Sequence, residues 1–411
     1  MLAWFREFSP QEKQTFRAAF GGWAMDAMDY MVFTFVIATL IKSWGIDRGQ
    51  AGLLGTITLL VSAFGGWLAG MLADRFGRVR VLQWSILWFA TFTFLNGFAQ
   101  NFEMLFATRG LQGLGFGGEW AVGSVLMGEM VRAQHRGKAV GAVQSAWAVG
   151  WGLAAVAYAL IFSVLPEEYA WRTMFWIGIL PAILVFYIRR YVPEPDVFKQ
   201  TRKRKETSPA SVWEIFSPGL ALTTLLTSLL ATGAQGGYYA ITTWLPTYLK
   251  TARNLSVLNT GGYLAVIIVG SFIGYIVSAY LNDRMGRRLN FFLFAVGSAV
   301  LAFAYTQFDI SDAQMLVLGF PLGFFASGIF SGMGPFLTEL FPSRVRATGQ
   351  GFAYNFGRGI GALFPMLVGY LSANMPLGKA IGVFAASAYL LVIVATLLLP
   401  ETKGRVLRTY D

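Results

Sequence analysis

The chain contains no cysteine, one histidine and few charged residues, which make up 13% of its 411 positions. Without cysteine it can form no disulfide, perform no thiol chemistry and offer no thiolate to a metal. A histidine-based metal site is not expected either, because the single histidine, His135, falls in a polar loop. Soluble domains carry about 25% charged residues. The low charge and the 55% hydrophobic content therefore predict a membrane protein.

Several motifs are also missing. There is no Walker-type phosphate loop, which argues against an ATP-driven pump within this chain. No nucleophile, base and orienting group can be assembled, so we expect no enzyme and no cofactor. No short apolar region with a cleavage site precedes the first long apolar run, and that run is expected to direct membrane insertion itself.

Twelve apolar runs, here called spans 1 to 12, are long enough to cross a bilayer. They cover residues 17–41, 50–72, 80–98, 103–130, 138–164, 172–191, 218–249, 258–281, 289–307, 312–340, 347–373 and 378–399. A lipid-exposed backbone must satisfy its own hydrogen bonds, which makes helices the expected structure. The predicted fold class is an all-α membrane protein with twelve transmembrane helices.

The Lys and Arg residues predict the orientation of these helices. Of 32 such residues, 24 lie in the two termini and in the loops on one side, six lie in the other loops, with residues at the ends of a span counted with the adjoining loop, and Arg109 and Arg358 lie well within spans. Basic loops stay in the cytoplasm. We therefore expect both termini in the cytoplasm and the protein in the inner membrane. The net charge of +11 is explained by topology, and no nucleic-acid partner is expected.

The two halves of the chain resemble each other. Three features recur 207 to 210 residues apart; they are Asp74 and Asp283, Glu129 and Glu339, and Pro193-Glu194 and Pro400-Glu401. The pattern predicts two pseudo-symmetric six-helix bundles, residues 1–192 and 218–411, joined by a basic cytoplasmic linker, 193–217. In such duplicated bundles the substrate site lies at the interface of the halves.

Span 1 carries two acidic residues, Asp26 and Asp29, which share one helix face because they are three positions apart. Asp29 is about 18 Å along the helix from Arg17, deep in the membrane. A carboxylate there is costly and is tolerated where it faces a partner or a water-filled cavity. We interpret the pair as proton-coupling residues; the alternative is that both cap or solubilise a helix near the headgroups.

Two basic residues lie within other spans. Arg358 in span 11 offers a charged, planar group that matches a carboxylate. We favour a substrate-binding role for it over a permanent ion pair with Asp26, Asp29 or Glu119. Arg109 in span 4 is predicted to gate the transport path, to bind, or to extend toward the surface. Glu119, in the same span, is a second candidate proton site or a structural hydrogen-bonding group.

Other polar or aromatic side chains are weaker candidates for substrate binding, and each is also explained by helix packing. They are Gln144, Gln235, Tyr238, Tyr354 and Asn355. The glycines of span 4 are interpreted as sites of close helix contact, since no strand precedes them as a nucleotide-binding loop requires.

The loop between spans 2 and 3, Gly70 to Arg80, matches the G-x-x-x-D-R-x-G-R motif of the major facilitator superfamily. The chain resembles this superfamily over essentially its whole length, and the resemblance implies its fold. Asp74, Arg75 and Arg78, and in the second half Asp283 and Arg284, can form ion pairs that open and close with conformation. They are candidate latch or gating residues; static anchoring is compatible with the same motif.

Shorter stretches narrow the resemblance. Gly22–Asp29, Arg109–Trp120 and Arg346–Arg358 are similar to the sialate:proton symporter family, which includes lactate and sialic acid carriers. Aromatic acid:proton symporters share the acidic pair, and sugar porters share Pro400–Gly404. Span 7 lacks the histidine and aspartate of related fungal lactate carriers. Span 5 lacks the proline of drug antiporters, which argues against an exporter.

The sequence therefore predicts a monomeric, proton-coupled symporter that imports an organic carboxylate by alternating access, with the proton gradient as its energy source. Arg358 is expected to attract the carboxylate, and Asp26 or Asp29 to carry the proton. The alternatives are a proton-coupled porter of sugars or other neutral solutes and a non-transporting sensor with the same fold.

Overall fold

The computed structural model of the protein describes residues 3–130, 139, 141–194, 212–342 and 345–403. Within these ranges some side chains are not described, among them those of Asp74, Arg75, Glu129 and Arg346. The predicted latch positions Asp74 and Arg75 therefore lie outside the described side chains. His135, Arg136 and most of the predicted linker lie outside the described residues.

Each of the twelve predicted spans corresponds to one helix or to two consecutive helices, and we keep the span numbers. In order, the helices are Pro10–Trp44, Arg48–Phe76, Arg78–Asn96, Phe102–Met130, Ala146–Val164, Glu167–Trp176 with Ala182–Tyr191, Ala221–Thr251, Val257–Met285, Arg287–Gln307, Asp312–Gly328 with Met333–Leu340, Arg346–Gly361 with Leu363–Leu371, and Leu377–Leu398. A short helix, Ala3–Arg6, precedes them, and all regular elements among the described residues are helical.

Eight of these helical stretches are long and apolar enough to cross a membrane by length and composition. They belong to spans 1, 2, 5, 6, 8, 9, 10 and 12. Spans 3, 4, 7 and 11 form helices as well, and the candidate site residues outside span 1 are concentrated there. Polar side chains that face other helices lower the hydropathy of a segment without exposing those side chains to lipid.

The chain divides into two compact units. Unit 1 consists of Met1–Thr39 and Ile57–Thr207, and unit 2 consists of Leu40–Thr56 and Ser208–Asp411. Within unit 2, the Thr56 hydroxyl donates to the carbonyl of Ala362 at 2.6 Å. This hydrogen bond attaches the start of span 2 to span 11.

The glycines of span 4 determine how unit 1 packs. A Cβ at Gly113 or Gly117 would collide with the backbone of span 2, and one at Gly115 would lie 2.7 Å from the backbone nitrogen of Phe89 in span 3. Only glycine therefore allows these three helices to approach so closely. The interpretation of these glycines as close packing sites is confirmed.

Glycines also allow close helix contacts at two places in unit 2. Gly270 and Gly274 of span 8 face the backbone of span 10, while Gly323 of span 10 faces the carbonyl of Ile267. In span 7, a Cβ at Gly237 would lie 2.8 Å from the Tyr389 ring of span 12. Span 7 is buried continuously from Thr242 to Leu249, so it is an inner helix of this unit.

Candidate functional site

Span 1 buries both of its acidic side chains. Asp26 is 0% exposed and Asp29 is 1% exposed. Within the part of the chain that the structure describes, no side chain donates a hydrogen bond of good geometry to either carboxylate oxygen of Asp29, and the Thr93 hydroxyl of span 3 lies beside this carboxyl. Span 6 reaches this carboxyl at Gly178, where a Cβ would lie 3.2 Å from Asp29 Oδ1. An ionised carboxylate is costly in such surroundings, so Asp29 is well placed to take up a proton.

A buried hydrogen-bond network lies beside Asp29. The Gln112 side chain of span 4 donates from Nε2 to the Thr93 hydroxyl of span 3 at 2.8 Å. Its Oε1 accepts from Asn96 Nδ2 at 2.9 Å and from Arg109 Nη1 at 3.2 Å. One glutamine thus joins a cation to the hydroxyl that adjoins Asp29.

Arg109 is completely buried, which excludes the idea that its side chain extends to an aqueous surface. Its guanidinium lies 4.0 Å from the ring centroid of Phe33, one helical turn beyond Asp29. A cation held against an aromatic face and an amide oxygen remains inside unit 1 as a fixed positive charge. Its predicted gating role stays a prediction.

Glu119 lines a cavity of about 30 Å³ in unit 1. The walls include Trp23 of span 1, Trp120 of span 4 and Gln144 of span 5, and Trp120 Nε1 donates to Gln144 Oε1 at 3.3 Å. Glu119 also packs against Gly22, one turn before Asp26. The structure thus brings the candidates Glu119 and Gln144 together, in a space of the size that one or two water molecules occupy.

An aromatic cluster joins spans 1, 4 and 5 next to this cavity. The Trp147 ring of span 5 lies 4.9 Å from Trp23 and 6.0 Å from Tyr30, and Tyr30 stacks on Phe116 at 5.4 Å. Offset and edge contacts of this kind stabilise a packed arrangement. The cluster fixes the face of span 1 that carries both aspartates.

Unit 2 holds the candidates of spans 7 and 11. Arg358 is 1% exposed, and its guanidinium carbon lies 5.2 Å from the ring centroid of Tyr354. Gln235 donates from Nε2 to the carbonyl of Tyr354 at 2.9 Å. Its Oε1 is buried and has no hydrogen-bond partner among the described residues. These three predicted residues therefore form one polar site around a buried cation.

The other two candidates of this unit lie nearby in the chain but differ in their contacts. Tyr238 is buried and packs edge-on against Phe330 of span 10, with ring centroids 5.4 Å apart. Asn355 donates to the carbonyl of Gly351 at 3.0 Å, an intrahelical bond. Tyr275 of span 8 adds a further buried phenol that interacts electrostatically with Tyr354 and Tyr389.

The predicted latch residues Asp74, Arg75, Arg78, Asp283 and Arg284 lie at the end of span 2, at the start of span 3 and at the end of span 8. Arg287 pairs with Asp283 at 3.1 Å and with Glu339 of span 10 through two hydrogen bonds, of 2.8 and 3.1 Å. Arg284 accepts a hydrogen bond from Lys403 through its carbonyl. In unit 1, Arg78 donates from Nη1 to the carbonyl of Ala73 at 2.9 Å. The latch role of these residues stays a prediction.

Comparison with known proteins identifies the family. The sequence profile described as Major Facilitator Superfamily matches residues 18–313 and 268–409. The chain belongs to the major facilitator superfamily. It is 44% identical over 407 residues to the "Probable 4-methylmuconolactone transporter" of Cupriavidus pinatubonensis (strain JMP 134 / LMG 1197), covering 98% of this chain and 94% of that protein.

The chain is also similar to a further transporter sequence and to a solved structure. The "Sialic acid transporter NanX" of Escherichia coli (strain K12) is 29% identical over 398 residues, covering 95% of this chain and 96% of that protein. The partially occluded, inward-open structure of the E. coli xylose transporter XylE aligns with a TM-score of 0.75 at 18% identity, covering 97% of this chain and all of that one. At that identity the xylose transporter supports the fold alone.

Membership of the major facilitator superfamily confirms the predicted fold class and the expectation of a transporter rather than an enzyme. Within the described residues, no group of three or more histidine, cysteine, aspartate or glutamate side chains could hold a metal ion.

Sequence reasoning missed several residues of both sites. The sequence did not predict Thr93, Asn96 and Phe33 as site residues, because residues of these types are common in apolar helices. The signal that could have found Thr93 and Asn96 is their spacing of three, which places two polar groups on one face of span 3. Tyr275 and Tyr389 give no comparable signal, since single tyrosines are common in apolar helices.

Proposed function

We propose that this protein imports an organic carboxylate together with one or more protons. Arg358 binds the carboxylate in unit 2, and Asp29, assisted by Asp26 or Glu119, carries the proton in unit 1. The observation that carries the proposal is the burial of Asp29, which is 1% exposed, beside the neutral hydroxyl of Thr93. Such a carboxyl is stable only when neutral or when paired, which ties its charge to the state of the transporter.

The choice of substrate class is supported by the surroundings of Arg358. A guanidinium buried beside a tyrosine ring is suited to a planar anion, because it offers two parallel donors and the ring offers an aromatic face. The relatives described as transporters of 4-methylmuconolactone and of sialic acid support an organic acid. A neutral sugar would leave the charge of Arg358 without a function.

The energy source follows from the same groups. When Asp29 binds a proton, the site loses a charge that would oppose closure of a dry cavity, so the loaded transporter can change conformation. The basic loops favour an inner-membrane orientation with cytoplasmic termini. We further propose that the protein acts as a monomer, since each polypeptide supplies both a cation and a proton site.

The test is uptake into proteoliposomes that contain the purified protein. Labelled 4-methylmuconolactone, sialic acid and lactate are compared with xylose, with and without an inward proton gradient. Accumulation of one acid above its external concentration, only when the gradient is present, is the expected result. Xylose should not accumulate.

Asp29→Asn gives the matched control, because it keeps the size and removes the titratable proton. We expect the variant to exchange labelled acid across the membrane but to lose gradient-driven accumulation. Gradient-driven accumulation by Asp29→Asn at the wild-type level would overturn the assignment of the proton site. Accumulation of xylose but of no acid would replace the carboxylate with a neutral solute.

A further inference from the structure

The Thr93 hydroxyl of span 3 lies between the carboxyl of Asp29 and the amide of Gln112. Its oxygen accepts from Gln112 Nε2 at 2.8 Å, and its own proton is directed to the carbonyl of Phe89 at 2.8 Å. Both Thr93 and Asp29 border Gly178, since a Cβ there would lie 2.9 Å from Thr93 Cβ and 3.2 Å from Asp29 Oδ1. The hydroxyl therefore adjoins a buried carboxyl to which no described side chain donates a hydrogen bond of good geometry.

A threonine hydroxyl has a single proton that rotates to suit its acceptors. Here the amide of Gln112 occupies the acceptor side of the oxygen, so the proton can go either to the Phe89 carbonyl or to Asp29. A neutral carboxyl needs no donor from Thr93, whereas a carboxylate gains a charge-assisted hydrogen bond that is about twice as strong as a neutral one. The better acceptor thus depends on whether Asp29 is protonated.

We propose that Thr93 is a positioning residue for proton coupling, whose hydroxyl donates to the Phe89 carbonyl when Asp29 is protonated and turns to Asp29 when Asp29 is ionised. The inference rests on the proposed function, because it takes Asp29 as the proton site. The switch moves no heavy atom and breaks no covalent bond. It gives the ionised state of Asp29 a donor that the protonated state does not use.

Gln112 connects the Thr93 hydroxyl to the buried positive charge of Arg109. Because its Oε1 accepts from Arg109 and Asn96, its Nε2 is held pointing at Thr93. Arg109 itself lies over the Phe33 ring, one turn from Asp29 on span 1. The positive charge is thus connected to the Thr93 hydroxyl through two hydrogen bonds, and the bond from Thr93 to the ionised carboxyl is the third; polarisation along such a chain strengthens each member.

Among the described residues, the buried titratable groups of spans 1 and 4 other than Asp29 are Asp26 and Tyr30 of span 1 and Arg109 and Glu119 of span 4. Span 3 faces Asp29 with Thr93, and span 6 with Gly178, neither of which titrates. A change at Thr93 therefore alters the hydrogen bonding of Asp29 without removing a charge from the site.

The experiment measures initial uptake in proteoliposomes against external pH for wild type, Thr93→Val and Thr93→Ser. Valine keeps the shape and removes the hydroxyl, so the ionised state of Asp29 loses its donor and Asp29 stays loaded to higher pH. We expect the pH of half-maximal uptake to rise by about one unit, the size of one hydrogen bond to a charged group. Thr93→Ser restores the hydroxyl and should restore the wild-type midpoint.

Thr91→Val is the matched control on the same helix. Thr91 also donates to the carbonyl four residues earlier, Leu87, at 2.7 Å, but it is exposed and, two positions from Thr93, lies on the opposite side of the helix. The pH of half-maximal uptake of Thr91→Val should equal that of wild type. Gln112→Leu is a second variant, which should shift the midpoint in the same direction because Thr93 loses the group that orients it. Size-exclusion profiles and melting temperatures establish that the variants are folded.

Infrared difference spectra collected against pH, without substrate, give a readout that does not depend on uptake. The band of the protonated carboxyl that is missing in Asp29→Asn should persist to higher pH in Thr93→Val. If a folded Thr93→Val protein kept the wild-type pH of half-maximal uptake and the wild-type pH dependence of the protonated-carboxyl band, the switch would be overturned. In that case, loss of proton coupling in Asp29→Asn would still leave the proposed function standing. Full coupling in Asp29→Asn would instead overturn the proposed function.

Discussion

Glu401 accepts a hydrogen bond at 2.9 Å from the backbone N–H of Arg287, the first residue of span 9. It also accepts from the backbone N–H of Arg288 at 3.1 Å. Glu194 makes the corresponding bonds in unit 1, to the backbone N–H groups of Arg78 and Val79 at the start of span 3. A carboxylate in this position satisfies free N–H groups and interacts favourably with the helix dipole. The repeated Pro-Glu dipeptide of the sequence is therefore a repeated helix cap.

The first prediction is that this cap weakens in acid. Partial burial raises the pKa of Glu401, but hydrogen bonds from four backbone N–H groups outweigh it and hold the pKa below its ordinary value. A lowered folded-state pKa means that the stabilisation is complete above the unfolded-state value, about 4.3, and is lost as the pH falls through the folded-state pKa. Wild type should therefore melt at a higher temperature than Glu401→Gln at pH 7, and the difference should shrink near pH 4.

Thermal unfolding of the detergent-solubilised protein at several pH values measures this difference. Glu103→Gln is the control, because Glu103 is an exposed acid in the first turn of span 4. Its melting temperature should follow wild type at each pH. A Glu401→Gln deficit of the same size at pH 7 and pH 4 would show that the charge of Glu401 is not what caps span 9.

The second prediction concerns Gly286, which precedes span 9 with φ 103° and ψ 161°. Only glycine adopts this region readily, and an added Cβ would lie 2.7 Å from Glu401 Oε2. Gly286→Ala should destabilise the protein by about 1–3 kcal/mol. Gly262→Ala in span 8, where nothing lies within 4 Å, is the control and should be neutral or slightly stabilising. Equal melting temperatures for the two variants would contradict the strain argument.

The third prediction concerns the carboxylate site. Arg358→Lys keeps the charge but loses the planar fork, so the affinity for an organic acid should fall about tenfold or more, and Arg358→Ala should abolish binding. Isothermal titration with the transported acid measures the dissociation constants. Lys379→Ala removes an exposed cation at the start of span 12 and should bind as wild type does. Unchanged affinity in Arg358→Ala would exclude Arg358 from the substrate site.

The sequence was sufficient to predict the helices, because a membrane span is a local property of about 20 consecutive residues. It also located the buried charges, since Asp29, Arg109 and Arg358 stand out in apolar helices. It did not reveal that Thr93 adjoins Asp29, because that contact joins helices more than 60 residues apart. Hydrogen bonding such as Gln112 to Thr93 depends on the rotation of each helix about its axis, which apolar runs leave undetermined. For the same reason Tyr275 and Tyr354 could not be brought together in advance.

The last prediction tests whether close packing in unit 1 holds the aspartates in place. A Cβ at Gly150 of span 5 would collide with the carbonyl of Ala24 and lie 2.7 Å from Ala27 Cβ, on either side of Asp26 in span 1. Gly150→Ala must therefore push spans 1 and 5 apart at that level. Overpacking of this kind costs about 1–3 kcal/mol, and we expect a lower melting temperature together with reduced gradient-driven uptake. Gly262→Ala in span 8 adds the same methyl group where nothing lies within 4 Å and should leave both unchanged. A Gly150→Ala protein that melts and transports as wild type does would mean that span 1 tolerates displacement at Asp26, and that the position of this carboxyl is set elsewhere.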